Sequence, residues 1–162
     1  EAKAVEVGNI FTLGTRFSEP LGLTYTDENG TVKPVIMGSY GIGPSRLMGL
    51  LAEHFADEKG LVWPENVAPF TVFIAQLGSD EKVVAASQKL YDDLQAKGVS
   101  VFWDDRDVRP GDKFGDADLY GIPYRVVVSQ KTVQADNFEL KKRTETEAKF
   151  VSWQELTKAL GV

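Results

Sequence analysis

The segment best suited to chemistry is Met37-Gly38-Ser39-Tyr40-Gly41-Ile42-Gly43-Pro44-Ser45-Arg46-Leu47-Met48, where a strand runs into glycines and then a helix with an arginine in its first turn. Glycines at 38, 41 and 43 let a backbone lie flat beneath a planar base or a phosphate, where any Cβ would clash. Arg46 adds a permanently charged fork of donors matched to phosphate oxygens. The same residues also fit a glycine-rich strand packed tightly on a helix, with Arg46 on a solvated face. The spacing is not that of a dinucleotide-binding fingerprint, and no Lys-Ser/Thr pair of a phosphate-binding loop follows it. A second polar stretch, Asp104-Asp105-Arg106-Asp107-Val108-Arg109-Pro110-Gly111-Asp112-Lys113-Phe114, follows an apolar run. It sits where open α/β sheets bind ligands, at the carboxyl end of a strand. Arg106, Arg109 and Lys113 suit phosphates or guanine edges, and Phe114 suits stacking on an unpaired base. Alternatively, Arg106 and Arg109 pair with Asp104, Asp105 and Asp107 and stiffen a turn. Lys141-Lys142-Arg143, with Lys131 nearby, either widens this basic surface or forms a solvated hairpin. His54, between Glu53 and Phe55, has no second histidine, cysteine or activated nucleophile beside it and is read as structural.

These residues need elements to hold them. Val5 to Phe11 is β-branched enough for a strand, Thr15 to Glu19 for one helical turn, and Leu23–Thr26 and Val32–Ser39 for two strands around Asp27-Glu28-Asn29-Gly30. Asn-Gly there predicts a two-residue hairpin loop. Leu47, Met48, Leu50, Leu51 and Phe55 recur at helical spacing, so a helix is expected from about Pro44 to Ala56. Two prolines in Trp63-Pro64-Glu65-Asn66-Val67-Ala68-Pro69 mark a linker, which places a boundary near residue 67. Beyond it the expected order is strand (70–77), helix capped by Ser79 or Asp80, strand (99–103), helix (113–120) closed by Gly121, and an apolar strand (124–129). A hairpin (138–142 with 148–151) and a helix capped by Ser152 complete it. This order predicts a mixed sheet wrapped by helices.

Composition narrows the function. The chain has 162 residues, no cysteine and one histidine, which leaves no Cys/His cluster for zinc and no Cys-His catalysis. No apolar run approaches the ~20 residues of a membrane span, and no charged-then-apolar leader follows Glu1. The net charge of −6 is shared by both parts, 5 basic against 9 acidic residues before residue 67 and 13 against 15 from there on. A polyanion is therefore not held by a broad basic face, and nucleic-acid contacts must be placed individually.

Gly38-Ser39-Tyr40-Gly41-Ile42-Gly43-Pro44-Ser45-Arg46 resembles motif 3 of class II aminoacyl-tRNA synthetases, and Glu6-Val7-Gly8-Asn9-Ile10-Phe11-Thr12-Leu13-Gly14-Thr15-Arg16-Phe17-Ser18 resembles the bacterial prolyl-tRNA synthetases. Asp57-Glu58-Lys59-Gly60-Leu61-Val62-Trp63-Pro64, Ala68-Pro69-Phe70, Asp104-Asp105-Arg106 with Arg109-Pro110-Gly111, and Gly121-Ile122-Pro123 extend the likeness, in order, over nearly the whole chain. The resemblance implies an α/β fold in two domains: 1–66, part of a class II antiparallel sheet with the motif 3 helix, and 67–162, an anticodon-binding domain whose mixed five-stranded sheet is surrounded by helices. It implies a proline–tRNA ligase that forms prolyl-adenylate from proline and ATP with Mg2+ and transfers the prolyl group to tRNA(Pro). Gly38, Gly41, Gly43 and Arg46 would hold ATP, with Arg46 catalytic, and Asn9 and Ser39 would lie at the amino-acid pocket. Asn9 stands where relatives often have histidine, and Ser39 where they often have cysteine. Arg106, Arg109, Lys113, Phe114, Lys131 and Lys141 would meet the anticodon. The intact enzyme is expected to be a cytoplasmic homodimer without DNA, membrane or resident metal. Motifs 1 and 2 do not occur in these residues, so the chain alone is expected not to aminoacylate and to begin after any editing domain. Two other readings stand beside this one: a non-enzymatic tRNA-binding or regulatory module derived from a synthetase C-terminus, and a related synthetase for threonine, histidine or glycine. The Arg-Pro-Gly, Gly-Ile-Pro and Glu-Val-Gly blocks weigh against the latter.

Overall fold

A computed structural model describes residues 4–162. They form two compact units, Glu1–Leu51 and Ala52–Val162. The division falls earlier than the prolines suggested, inside the helix Pro44–Phe55, and residues 57–63 are hydrogen-bonded into the second unit.

In the first unit, β1 (Gly8–Gly14) pairs antiparallel with β4 (Met37–Ile42), and β2 (Thr24–Thr26) with β3 (Val32–Pro34). The expected strand over residues 32–39 is thus two strands with different partners, broken at Val35-Ile36. Within the turns over residues 15–22, the Glu19 amide donates to the Thr15 carbonyl at 3.1 Å, which closes the single helical turn expected over Thr15–Glu19. The hairpin loop is longer than Asn-Gly predicts: Asn29 does not take a positive φ, as a two-residue loop requires, and Gly30 alone does, at 77°. Asp27 replaces that geometry by accepting from the Asn29 (3.0 Å) and Thr31 (2.9 Å) amides. Helix α1 (Pro44–Phe55) begins with proline in its first turn, where no donor is missed. Among the described residues of this unit no large hydrophobic side chain is buried, and Ile10 and Tyr40 are each 85% exposed.

The second unit has a five-stranded sheet in the order β6-β5-β7-β8-β9, from β5 (Val72–Leu77), β6 (Val101–Asp104), β7 (Tyr124–Ser129), β8 (Phe138–Lys142) and β9 (Lys149–Val151). The first three are parallel, and β8 and β9 add antiparallel. Because side chains alternate along a strand, β5 and β7 send Val72, Ile74, Val126 and Val128 to one face and Phe73, Ala75 and Val127 to the other. Helices α2 (Glu81–Ala96) and α5 (Trp153–Leu160) cover the first face with Val83, Leu90, Leu94 and Leu156, and α3 (Pro110–Tyr120) covers the second with Ala117. This is the expected α/β architecture with a mixed five-stranded sheet. One element had not been foreseen, the short α4 (Gln130–Gln134), which a reciprocal Ser129–Thr132 capping box starts directly at the end of β7.

Helix α3 also starts three residues earlier than the pattern suggested, with Pro110 at its first position. The segment before β5 is tied to its far end. Leu61 and Trp63 donate to the Leu119 and Gly121 carbonyls (3.1 and 3.2 Å), and Arg143 grips both Asp57 oxygens (2.9 and 2.6 Å). Gly121 has φ 68°, and a Cβ there would fall on the Leu61 carbonyl, so the strap requires glycine.

Candidate functional site

In the first unit, the β1–β4 register sets Asn9 opposite Gly41, Phe11 opposite Ser39 and Thr12 opposite Gly38. Cross-strand partners share a face, so Asn9, Ser39 and Gly41 lie together, while Gly38 lies on the other side with Tyr40 and Ile42. The glycines therefore do not make a single floor: of the two in β4, Gly41 alone lies on the side of Asn9. A cavity of about 670 Å3 follows the ladder, lined by Val7, Gly8, Asn9, Ile10, Tyr40, Gly41, Ile42 and Leu47. Arg46 is oriented across the chain, its Nη1 donating to the Glu6 carbonyl at 3.0 Å and meeting Glu6 Oε1 at 3.4 Å. Asn9 Nδ2 reaches the same carboxylate oxygen at 3.4 Å. The Arg46–Glu6 pair is more than half exposed, so it contributes little to stability and leaves most of the guanidinium fork free.

In the second unit, the basic residues predicted to act together part into two groups. Lys113 is one turn inside α3 and only 2% exposed, with Nζ donating to the Gln76 (2.6 Å) and Asp104 (3.0 Å) carbonyls. Burial pushes its ammonium down, and the Asp104 carboxylate partly opposes the shift. Arg106 spends its fork on Asp104, Nε to Oδ1 at 2.9 Å and Nη2 to Oδ2 at 2.7 Å, and also meets Asp116 at 2.6 Å. These bonds hold Asp104 below the usual carboxylate range, led by Arg106, and raise Arg106 itself. Lys113 therefore does not reach an external ligand, and Arg106 follows the turn-stiffening alternative. Arg109, the N-cap residue of α3, makes no side-chain capping bond and is exposed.

The other group lies on the α3 face of the sheet, along β7, β8 and β9. Arg125 is directly opposite Lys141, Val127 opposite Glu139, and Glu139 opposite Phe150 on β9. The Arg125 guanidinium sits 4.1 Å from the centroid of the Phe114 ring, a cation–π stack. Its Nε is buried without a hydrogen-bond partner, and it forms no ion pair among the described residues. Burial lowers its pKa from the usual arginine value, while Asp118 and Glu139 favour the charge from farther away. Lys131 Nζ lies 4.7 Å from the Phe150 ring, at the next strand. The result is a surface of two aromatic rings, each with one cation against it, and a third cation, Lys141, opposite Arg125 on the next strand, bordered by carboxylates. That combination suits splayed bases, which stack on rings and guanidinium planes and hydrogen-bond along their edges.

Residues 71–161 match a family model described as the anticodon binding domain. The chain belongs to the anticodon-binding-domain family. Its form is that of the bacterial-type class II prolyl-tRNA synthetases, as the motif order had implied. It is 47% identical over 152 residues to the proline–tRNA ligase of Methylobacterium nodulans, covering 93% of this chain and 34% of that protein. To the proline–tRNA ligase of Fervidobacterium nodosum it is 48% identical over 142 residues, covering 88% and 25%. A crystal structure of the prolyl-tRNA synthetase from Cryptosporidium parvum, complexed with L-proline and AMP, matches with a TM-score of 0.86 at 26% identity, over 97% of this chain and 33% of that one. The chain thus spans about a third or less of the length of these relatives.

Within the anticodon-binding domain, Phe114, Lys131 and Lys141 fall on the aromatic and cationic surface, and Arg109 is exposed on the α3 N-terminus. Arg125, Glu139 and Phe150 join the surface although the sequence had not singled them out. Arg125 was hidden inside Tyr124–Ser129, a run read as an apolar strand. The signal that finds it is the break in apolarity: one arginine in such a strand, two residues from Val127 on the same face, requires an opening on that face.

Proposed function

We propose that this chain is the tRNA-recognising part of a proline–tRNA ligase, with the Arg125–Phe114 stack as the centre of anticodon recognition. The observation that carries the reading is the Arg125 guanidinium, stacked at 4.1 Å on Phe114 and left with an unpartnered Nε. A donor fork held flat by a ring is pre-organised to meet the O6 and N7 of a guanine, and proline anticodons share two guanines. Lys141 and Glu139 flank it as a cation for the backbone or a base edge and as an acceptor for guanine N–H groups. Lys131 with Phe150, and Arg109, extend the contact. In the first unit, Gly41 and Gly43 would lie beneath adenine and ribose, Arg46 would hold the far phosphate of ATP with its Mg2+, and Asn9 and Ser39 would border the proline pocket. The shared face of Asn9, Ser39 and Gly41 supports that reading, as does the free part of the Arg46 fork. The chemistry would rest on positioning and on charge stabilisation at the α-phosphate, and the chain on its own is expected to give no proline-dependent ATP–pyrophosphate exchange.

The test is a titration of the 162-residue protein with a tRNA(Pro) anticodon stem-loop and with loops carrying adenine at either guanine. Arg125→Ala should lose about tenfold or more in affinity and relax discrimination at one position, corresponding to ~1–3 kcal/mol for a base-reading arginine. Arg106→Ala should change RNA affinity by less than about twofold, because its fork is already occupied. Equal affinity of the Arg125 variant and the parent for every loop would remove the reading.

A further inference from the structure

On the side of the sheet opposite Arg125, α2, α4 and the start of α5 enclose a second cavity, of about 530 Å3, a size typical of small-molecule sites. Leu90, Val128, Phe138 and Trp153 line it, the last two with their rings edge to face at 6.5 Å. Its polar border is lopsided. Lys89 is already engaged by Asp93, whereas Asp136 has no ion pair among the described residues and Asn137 carries a buried Oδ1 with no hydrogen-bond partner. A buried acceptor left unpaired is a cost that an incoming donor relieves. The unspent groups of this cavity are thus an acceptor and a negative charge beside an apolar, aromatic wall. A ligand that satisfies both has a ring-sized hydrophobic body and a short arm ending in an ammonium group. Among the described lining residues the one cation, Lys89, is engaged by Asp93, so an anionic ligand would face Asp136 without an offsetting charge.

We propose that this cavity is a binding site for a small aryl-alkyl amine, its ring against Leu90, Val128, Phe138 and Trp153 and its ammonium group toward Asp136 and the Asn137 Oδ1. The site is separated by the sheet from the Arg125 surface and stands whether or not that surface reads RNA.

Three probes with one aromatic body and three heads test it on the 162-residue protein: phenethylamine, phenethyl alcohol and phenylacetate, followed by calorimetry and by tryptophan fluorescence excited where the probes do not absorb. Phenethylamine should bind saturably and change the Trp153 emission, phenethyl alcohol should bind about tenfold more weakly, and phenylacetate should not bind measurably. Asp136→Asn, at a φ of 48° that asparagine also adopts, should lower the amine to the affinity of the alcohol and leave the alcohol unchanged. Ala86→Phe, which fills the cavity from α2, should abolish binding of both. If that variant fails to fold, Asp136→Asn alone decides. No saturable binding of phenethylamine, equal binding of phenylacetate, or an Asp136→Asn protein that keeps its preference for the amine would overturn the proposal.

Discussion

The two units hold comparable chemistry on unlike scaffolds. The first carries Arg46, Gly41 and Asn9 on a two-stranded ladder and one helix, with Ile10, Tyr40 and Ile42 in the open. The second carries Arg125 and Lys141 on a sheet whose central strand, β5, has Val72, Phe73, Ile74 and Ala75 all fully buried. Apolar burial is the main favourable contribution to folding, and a two-stranded ladder without a covered face has little of it. A residue's capacity for chemistry and the rigidity with which it is held are therefore separable, and here they are distributed unevenly along one chain.

The largest expected difference is in local opening. Amide hydrogen exchange should show β5, β7 and α2 protected at least about a thousandfold more than β1 and β4, since opening free energies run from near zero up to the global value. Limited proteolysis should leave a resistant piece that begins near Asp57 and not at Phe70, because the strap at 57–63 is hydrogen-bonded to α3. Equal protection in the two units would remove the contrast.

The second expectation tests what holds the strong unit together. Lys113→Ala deletes a buried ammonium that satisfies two strand-end carbonyls and faces Asp104, so it should cost about 3 kcal/mol or more in urea unfolding of the second unit. A cost below about 1 kcal/mol would mean that Arg106 alone suffices to hold this corner.

The third effect is smaller and depends on acid. Asp104, bonded first of all by Arg106, and Asp57, bonded by Arg143, both have carboxyl groups held below the usual range in the folded state. The unfolded chain therefore binds more protons between the two values, and stability present above pH 4 should fall progressively as pH drops through about 4 and below. The melting curve of the second unit should be flat from pH 7 to about pH 5 and decline only beneath that. Asp57→Asn should make the decline shallower.

Much of this architecture was legible because periodicity and capping agreed. Tyr124–Ser129, Phe138–Lys142 and the Ser152-capped helix lie where their residues place them, since apolar runs and the Ser152 cap act locally. The partner change at Val35-Ile36 was not legible, because strand propensity says nothing about which neighbour a strand finds. The site divided along the same line. Phe114, Lys131 and Lys141 were visible as residue types, but the burial of Lys113 depended on Pro110 starting α3 early and turning that side chain onto the ends of β5 and β6. Arg125 needed knowledge of register, which arises from the pairing of β7 with β8 and from no property of either segment alone.

Strand order also sets a schedule. β5 lies between two parallel neighbours, yet its partners at Val101 and Tyr124 come 29 and 52 residues after Val72 along the chain. At roughly 5–20 residues per second of synthesis, the central strand leaves the ribosome seconds before anything can hydrogen-bond to either of its edges. During that interval an apolar strand with two open edges is the most adhesive part of the nascent chain. The Arg125–Lys141 pair is completed later still, when β8 follows β7, so the surface proposed to meet RNA is among the last parts of the molecule to exist.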